Sequence, residues 1–179
     1  TGFAEIFPPE APAPTVEGLT EQWEALIRQG DGDPRSRAFG AWARPARPSW
    51  RPRDLGSVPS AAPPSDGAPS EIVVGTAVGQ ADPTEPRRGH LRSLYVVPEW
   101  SGRGVGRRLH DAVVAHLRGA GFAEASLWVM EKNPARAMYE HLGWRMSADR
   151  QTIWPGIDEV RYLVDLGSQR SPRSSRYDP

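Results

Sequence analysis

The chain contains no cysteine and a single lysine, and its apolar runs are short. The first absence removes disulfide frameworks, thiolate nucleophiles, iron–sulfur clusters and zinc fingers together. A chain of 179 residues must then be held by packing alone, and at this length roughly two thirds of the unfolded surface can be buried. Runs such as Ile72-Val73-Val74 fall far short of the ~18 apolar residues that a membrane helix needs. There is no surplus of charge either. The 22 basic and 22 acidic side chains cancel and the pI is about 6.9, which argues against bulk attraction to nucleic acid or anionic lipid. The first residues, Thr1-Gly2-Phe3-Ala4-Glu5, lack an initiator Met and the basic and apolar regions of a secretory signal. The expectation is a cytoplasmic protein and a chain that is a fragment or trimmed product; whether an N-terminal strand is missing stays open.

Proline and glycine, by contrast, are plentiful, at 19 and 18 residues. Seven of the prolines lie between Pro45 and Pro69. The stretch from 45 to 70 is mostly Ala, Ser, Pro, Gly and Arg, too poor in large apolar groups to offset the entropy of ordering it. It reads as a flexible insertion. Residues 168–179 read as a disordered tail, and 1–167 as a single domain. Arg supplies 21 of the 22 basic residues, which reads first as coding bias, and no internal repeat is evident.

Periodicity predicts three helices. Leu19, Trp23, Leu26 and Ile27 share a face over residues 16–29, with Gly30 as a stop. Val105, Leu109, Val113 and Leu117 recur every four residues over 104–118, closed by Gly119. A short third helix has Asn133 as N-cap, Pro134 at its first position, Ala135, Met138 and Leu142 as its stripe, and Gly143 as its stop. Strands are predicted over 38–43, 71–80, 90–97, 125–130, 144–146 and 159–166. The last alternates, with Val160, Tyr162, Val164 and Leu166 on one face, as a half-exposed antiparallel strand requires. A helix, a run of strands, then alternating strand and helix give an α/β chain of the α+β type. Its central sheet is mixed and mostly antiparallel, with helices on its faces.

The chemistry concentrates between Leu94 and Leu109, where a strand runs into a glycine-dense turn and then an amphipathic helix. Gly102, Gly104 and Gly106 permit backbone shapes closed to other residues and let a bulky anion approach the main chain. Successive N–H groups at the helix start then suit phosphate oxygens, with Arg103, Arg107 and Arg108 adding charge. Two familiar loops are excluded. The glycine spacing is not that of the dinucleotide fingerprint, and no Gly-Lys-Ser/Thr follows to make a nucleoside-triphosphate loop. The alternative is a tight turn in which the glycines only relieve crowding.

Three motifs in order resemble the GNAT superfamily of coenzyme A-dependent N-acetyltransferases. They are Leu94-Tyr95-Val96 with Pro98, the loop Gly102-Arg103-Gly104-Val105-Gly106-Arg107-Arg108-Leu109, and Asn133 through Trp144. The resemblance spans about residues 71–166 and is weaker over 3–43. It implies an acyl-CoA N-acyltransferase fold and an enzyme using acetyl-CoA. In that pattern Leu94, Tyr95 and Val96 pair through their backbone with the pantetheine arm. Ser101, Gly102, Arg103, Gly104, Val105, Gly106 and Arg107 surround the pyrophosphate, and Asn133 contacts the coenzyme. Ser101 departs from the Gln or Arg common in the family, which predicts weaker phosphate binding. The resemblance also implies direct acetyl transfer to a primary amine of a small molecule or peptide, with Tyr139 as the general acid and a backbone N–H near Val96 polarising the carbonyl.

Other readings stay open. Tyr139 and Asn133 each have a structural explanation, as a packing residue and a helix cap. Glu71, His90, Glu99 and Glu131 lie near strand ends as candidate bases, beside a water relay, and His90 also reads as an ordinary surface histidine. Trp128 and Trp154 read as core, or as walls of an acceptor pocket. His110 and His116 are six apart, do not share a helix face and have no carboxylate cluster with them, so no metal is expected. Seven Arg against two acidic residues between Arg87 and Arg118 fit attraction of a phosphorylated coenzyme better than nucleic acid. A monomer or homodimer is expected, and a non-catalytic acyl-CoA-binding sensor or accessory module is the competing class.

Overall fold

The computed structural model describes residues 33–44, 47–54 and 72–167. The predicted helix at 16–29 and the tail at 168–179 lie outside the described residues. Seven strands are ordered β2-β1-β3-β4-β5-β7-β6. They are β1 (Arg37–Arg44), β2 (Arg47–Asp54), β3 (Ile72–Ala81), β4 (Gly89–Val96), β5 (Glu124–Met130), β6 (Arg145–Trp154) and β7 (Ile157–Asp165). Helix α1 (Val105–Gly119) connects β4 to β5, and α2 (Ala135–His141) connects β5 to β6. Neighbouring strands are antiparallel except β4 and β5, which are parallel. The crossover through α1 is what a parallel pair demands.

Helix α1 packs on β3 and β4 through Val105, Leu109, Val113 and Leu117, each essentially inaccessible to solvent. Burial of such a side chain contributes about 1.5–3 kcal/mol. The approach is close because the sheet presents glycines beneath the helix. A Cβ at Gly79 would lie 2.8 Å from Val113 Cγ1, and one at Gly89 3.1 Å from Leu117 Cδ1. A Cβ at Gly75 would lie 2.8 Å from the Tyr95 carbonyl oxygen and 3.0 Å from Leu109 Cδ1. The left-handed residue that ends α1 is Gly121 (φ +89°), with Phe122 N–H donating to the Leu117 carbonyl; Gly119, the predicted stop, is still helical.

Two segments differ from expectation. Part of the stretch read as a flexible insertion forms β2, in backbone register with β1. It is outermost among the described strands, where one row of amides has no sheet partner and Pro48 and Pro52 are tolerated. Strand β6 continues to Trp154 rather than stopping at Met146. Almost every residue of it is exposed and its register shifts between Met146 and Arg150, so backbone pairing with β7 holds it and no apolar alternation marks it.

The parallel pair is short. Register between β4 and β5 extends over Gly89↔Ala125 and His90↔Ser126 only. At this point a buried polar cluster joins four elements. The Asp82 carboxylate, after β3, accepts hydrogen bonds from Ser126 Oγ on β5 (2.6 Å) and Thr84 Oγ1 (2.7 Å), and also receives the Arg161 guanidinium from β7. A carboxylate can only accept, so Ser126 gives its hydrogen to Asp82 and accepts from His90 Nδ1–H at 3.0 Å. His90, read as a surface histidine, is therefore buried. Burial pushes its pKa down against the pull of Asp82. Burial also pushes the Asp82 carboxyl up, but the hydrogen bonds from Ser126 and Thr84 and the charge of Arg161 outweigh it and hold the group well below the usual carboxylate range.

Two stability predictions follow from this packing. Gly75→Ala is expected to destabilise the fold by about 1–3 kcal/mol through overpacking against strand backbone and α1, measurable by urea unfolding. Asp82→Asn leaves the buried Arg161 guanidinium with only the exposed Asp149 carboxylate, 3.8 Å away, and is expected to cost about 3 kcal/mol or more. Because the folded-state pKa of Asp82 lies below the unfolded value of about 4, its contribution is fully present above that pH and is lost on acidification. Unfolding curves between neutral pH and pH ~3 should fall less steeply for Asp82→Asn than for the parent, and parallel curves would contradict the assignment.

Candidate active site

Beyond His90 the two parallel strands separate. From Leu91 to Val96, β4 keeps its ladder with β3 but has no register with β5. Arg92 is skipped between the pairs Gly79↔Leu91 and Val78↔Ser93, so β4 carries one extra residue, a β-bulge. The bulge resets which side chains face α1. Before it, Gly89 lies against Leu117. After it, Leu94 and Val96 lie within contact of the Gly106 Cβ position, and Tyr95 between them is 65% exposed.

The backbone of this segment has a defined orientation. Val97 N–H donates to the Val74 carbonyl (2.9 Å), flanking the Gly75↔Val96 pair. That pair is therefore of the non-hydrogen-bonded kind. The N–H and C=O of Val96 point away from β3, toward the side from which β5 has withdrawn, and by the two-residue period those of Leu94 do so too. Tyr95 directs its amide and carbonyl to β3, so of the three residues expected from the sequence only Leu94 and Val96 turn their backbone toward the gap.

The chain then passes through a short 3-10 turn (Pro98–Trp100) into the glycine segment. Gly102 (φ +72°) and Gly104 (φ +76°) occupy the left-handed region, and a Cβ at either would meet nothing within 4 Å. Their conformation, not crowding, explains glycine here. Gly104 is the N-cap of α1 and supplies no side-chain cap, so the first amides of the helix are open to an external acceptor. Ser101 through Gly104 are exposed. Val105 is fully buried, so of the predicted loop residues it can offer only its backbone. The Arg103 guanidinium lies 5.0 Å from the Trp100 ring centroid, and Arg107 is exposed, 3.8 Å from Asp111.

Helix α2 forms the opposite wall. Asn133 Oδ1 accepts from Ala135 N–H at 2.9 Å, the cap expected of it, with the regular helix beginning two residues later. Met138 sulfur lies 3.8 Å from the Gly106 Cβ position. Tyr139 is 7% exposed, and its phenol is pushed up to about 12, by burial first and then by nearby Tyr95. No hydrogen bond to its hydroxyl is formed among the described residues. The helix ends in a Schellman motif: Trp144 N–H donates to the Tyr139 carbonyl (3.0 Å) and Gly143 N–H to that of Glu140 (3.0 Å), with Gly143 at φ +89°. The two aromatic rings pack edge to face at 6.2 Å.

The remaining candidates scatter. Glu131 bonds Arg150 (2.6 Å), Glu99 is exposed on the 3-10 turn, His90 is held in the buried cluster, and Glu71 lies outside the described residues. Trp128 is half-buried, with the Arg161 guanidinium 5.5 Å from its ring, and Trp154 is half-buried at the end of β6; neither joins the core. Sequence reasoning missed Asp82, Ser126, Arg161 and the bulge at Arg92, none of which carries a local signal, because each acquires its role from a strand distant in sequence.

A gap between parallel strands, lined by outward-facing amides and leading to an uncapped helix start, suits an extended polyamide arm ending in a phosphate group. The fold resembles an acetyltransferase from Thermus thermophilus (TM-score 0.54, 22% identity, 87% of this chain and 78% of that one). It also resembles an N-acetyltransferase from Staphylococcus aureus (TM-score 0.52, 15% identity, 85% and 78%). A protein from Desulfovibrio desulfuricans assigned to the GNAT family aligns over 53% of this chain with TM-score 0.47 and 23% identity, and this chain spans 63% of its length. No curated protein matches by sequence. Residues 19–144, more than half of the chain, match the model of the Acetyltransferase (GNAT) family, and the chain belongs to that family.

Proposed function

We propose that the protein transfers an acetyl group from acetyl-CoA to a primary amine of a small molecule or peptide, by direct attack of the amine. The observation that carries this reading is the early parting of β4 from β5, which leaves the Leu94 and Val96 backbone facing the gap beside the two left-handed glycines. Acetyl-CoA, when bound, supplies an acetyl thioester and two anchoring features, a pantetheine amide arm and a diphosphate. Leu94 and Val96 would hold the arm as an added strand. The amides from Gly102 to Gly106 would hold the diphosphate, with Ser101, Arg103 and Arg107 around it and Asn133 at the far wall. An N–H at Val96 would receive the charge that develops on the carbonyl oxygen.

Tyr139 would serve the departing sulfur. Its raised pKa fixes the proton on the phenol oxygen at neutral pH, which a general acid requires. The same shift makes it a weak acid, so hydrogen bonding to the developing thiolate matters as much as outright proton transfer. The amine must lose a proton as it attacks. His90 has an unprotonated Nε2, because Nδ1 carries the hydrogen given to Ser126, but it sits where the strands part, six residues before Val96, so water relay fits better than direct contact.

Two measurements test the reading. Acetyl-CoA should raise the melting temperature of the protein, and thiol release should depend on an added amine when a peptide with a free α-amino group, free amino acids and a polyamine are compared. Tyr139→Phe should lower kcat by about a hundredfold with little change in melting temperature. Thermal protection without turnover on any amine would instead support an acyl-CoA-binding module, and no protection by acetyl-CoA would overturn both.

A further inference from the structure

Tyr139 does not stand alone in its wall. Behind it lies Trp144, 2% exposed, and behind Trp144 lies His110 of α1, 5% exposed. The Trp144 indole Nε1–H donates to His110 Nε2 at 2.8 Å, and those rings also meet edge to face at 5.9 Å. His110 Nδ1 lies 3.0 Å from Asp111 Oδ1. An indole nitrogen can only donate and a carboxylate can only accept. The tautomer is thereby fixed: Nε2 is bare, and Nδ1 carries the hydrogen that goes to Asp111.

This strut joins the two helices that wall the cleft. No register joins β4 to β5 beyond His90, so α1 and α2 need another tie at the level of Tyr139. Trp144 touches Tyr139 twice, through the backbone bond that ends α2 and through the ring edge. We propose that His110 and Trp144 are positioning residues for Tyr139, the Nδ1–H tautomer of His110 holding the indole and the indole holding the phenol toward the cleft. The inference rests on the reading of Tyr139 as the acid.

Protonation of His110 would place a second N–H against the indole N–H and break the bond. Burial pushes its pKa down, while Asp111 draws it up and Arg107 opposes protonation; both charged groups lie on α1, and the side facing α2 presents Trp144 with Tyr139 behind it. The strut is therefore intact at neutral pH and lost on acidification below the ordinary histidine value of about 6.5.

The test combines a spectroscopic signature with kinetics. In 15N-labelled protein the Trp144 indole resonance, assigned with Trp144→Phe, should move as the pH is lowered from neutral through the His110 titration, and kcat with acetyl-CoA and an α-amino peptide should fall over the same range. His110→Leu leaves the indole without an acceptor and should lower kcat about tenfold, with KM for acetyl-CoA within about twofold. His110→Gln can still accept from the indole but cannot titrate; it should restore most of kcat and lose the acid-side step, and it serves where His110→Leu fails to fold. An indole resonance indifferent to His110 ionisation, or one pH profile shared by parent and both variants, would overturn the proposal. Tyr139→Phe separates the two readings. If it is slow while His110→Leu matches the parent, positioning alone falls; if Tyr139→Phe turns over as fast as the parent, the acid assignment falls and takes positioning with it.

Discussion

Everything in the site depends on two parallel strands pairing for two residues and then separating. A parallel pair continued along its length would consume the Leu94 and Val96 amides in its own ladder. Their withdrawal from β5 turns ordinary strand backbone into a recognition surface. A gap in a sheet is a liability unless something fixes where it begins. Here the beginning is fixed by a buried ion pair and its hydrogen bonds, Asp82 with Arg161 and Ser126, with His90 on the same hydroxyl. Such a cluster adds little net stability, but it penalises any arrangement that removes one member. It therefore suits a point at which register must not drift.

Downstream of that point three devices act in sequence. The bulge at Arg92 turns Leu94 and Val96 toward α1 and leaves Tyr95 exposed on the intervening position. The left-handed glycines deliver the chain to an uncapped helix start. The glycines of β3 and β4 let α1 sit close on the sheet, so the helix start lies beside the gap. The second helix is tied to the first by Trp144 and His110 rather than by strand pairing, so the two walls are joined by a side-chain bond sensitive to protonation.

Much of this was legible in the residues. The fourfold spacing of Val105, Leu109, Val113 and Leu117, the cap at Asn133 and the stop at Gly143 are local patterns, and each element formed where its pattern lay; β7 also formed, but not with the half-exposed alternation expected of it, because Arg161 is buried between Val160 and Tyr162. The glycine loop was legible because a left-handed backbone leaves a mark in the residue type. β2 and most of β6 were not, because they are held by backbone pairing at the sheet margins and carry no apolar alternation.

The sequence by itself determined the helix faces, the loop chemistry and the family pattern, since these depend on residues a few positions apart whose side chains or backbone freedom act at once. Tertiary structure decided the rest. Asp82 meets Ser126 and Arg161 across 44 and 79 positions, and His110 meets Trp144 across 34. No local pattern encodes such contacts; they exist only once the sheet has brought distant strands to one point and excluded water from it, where unpaired polar groups become costly and paired ones specific.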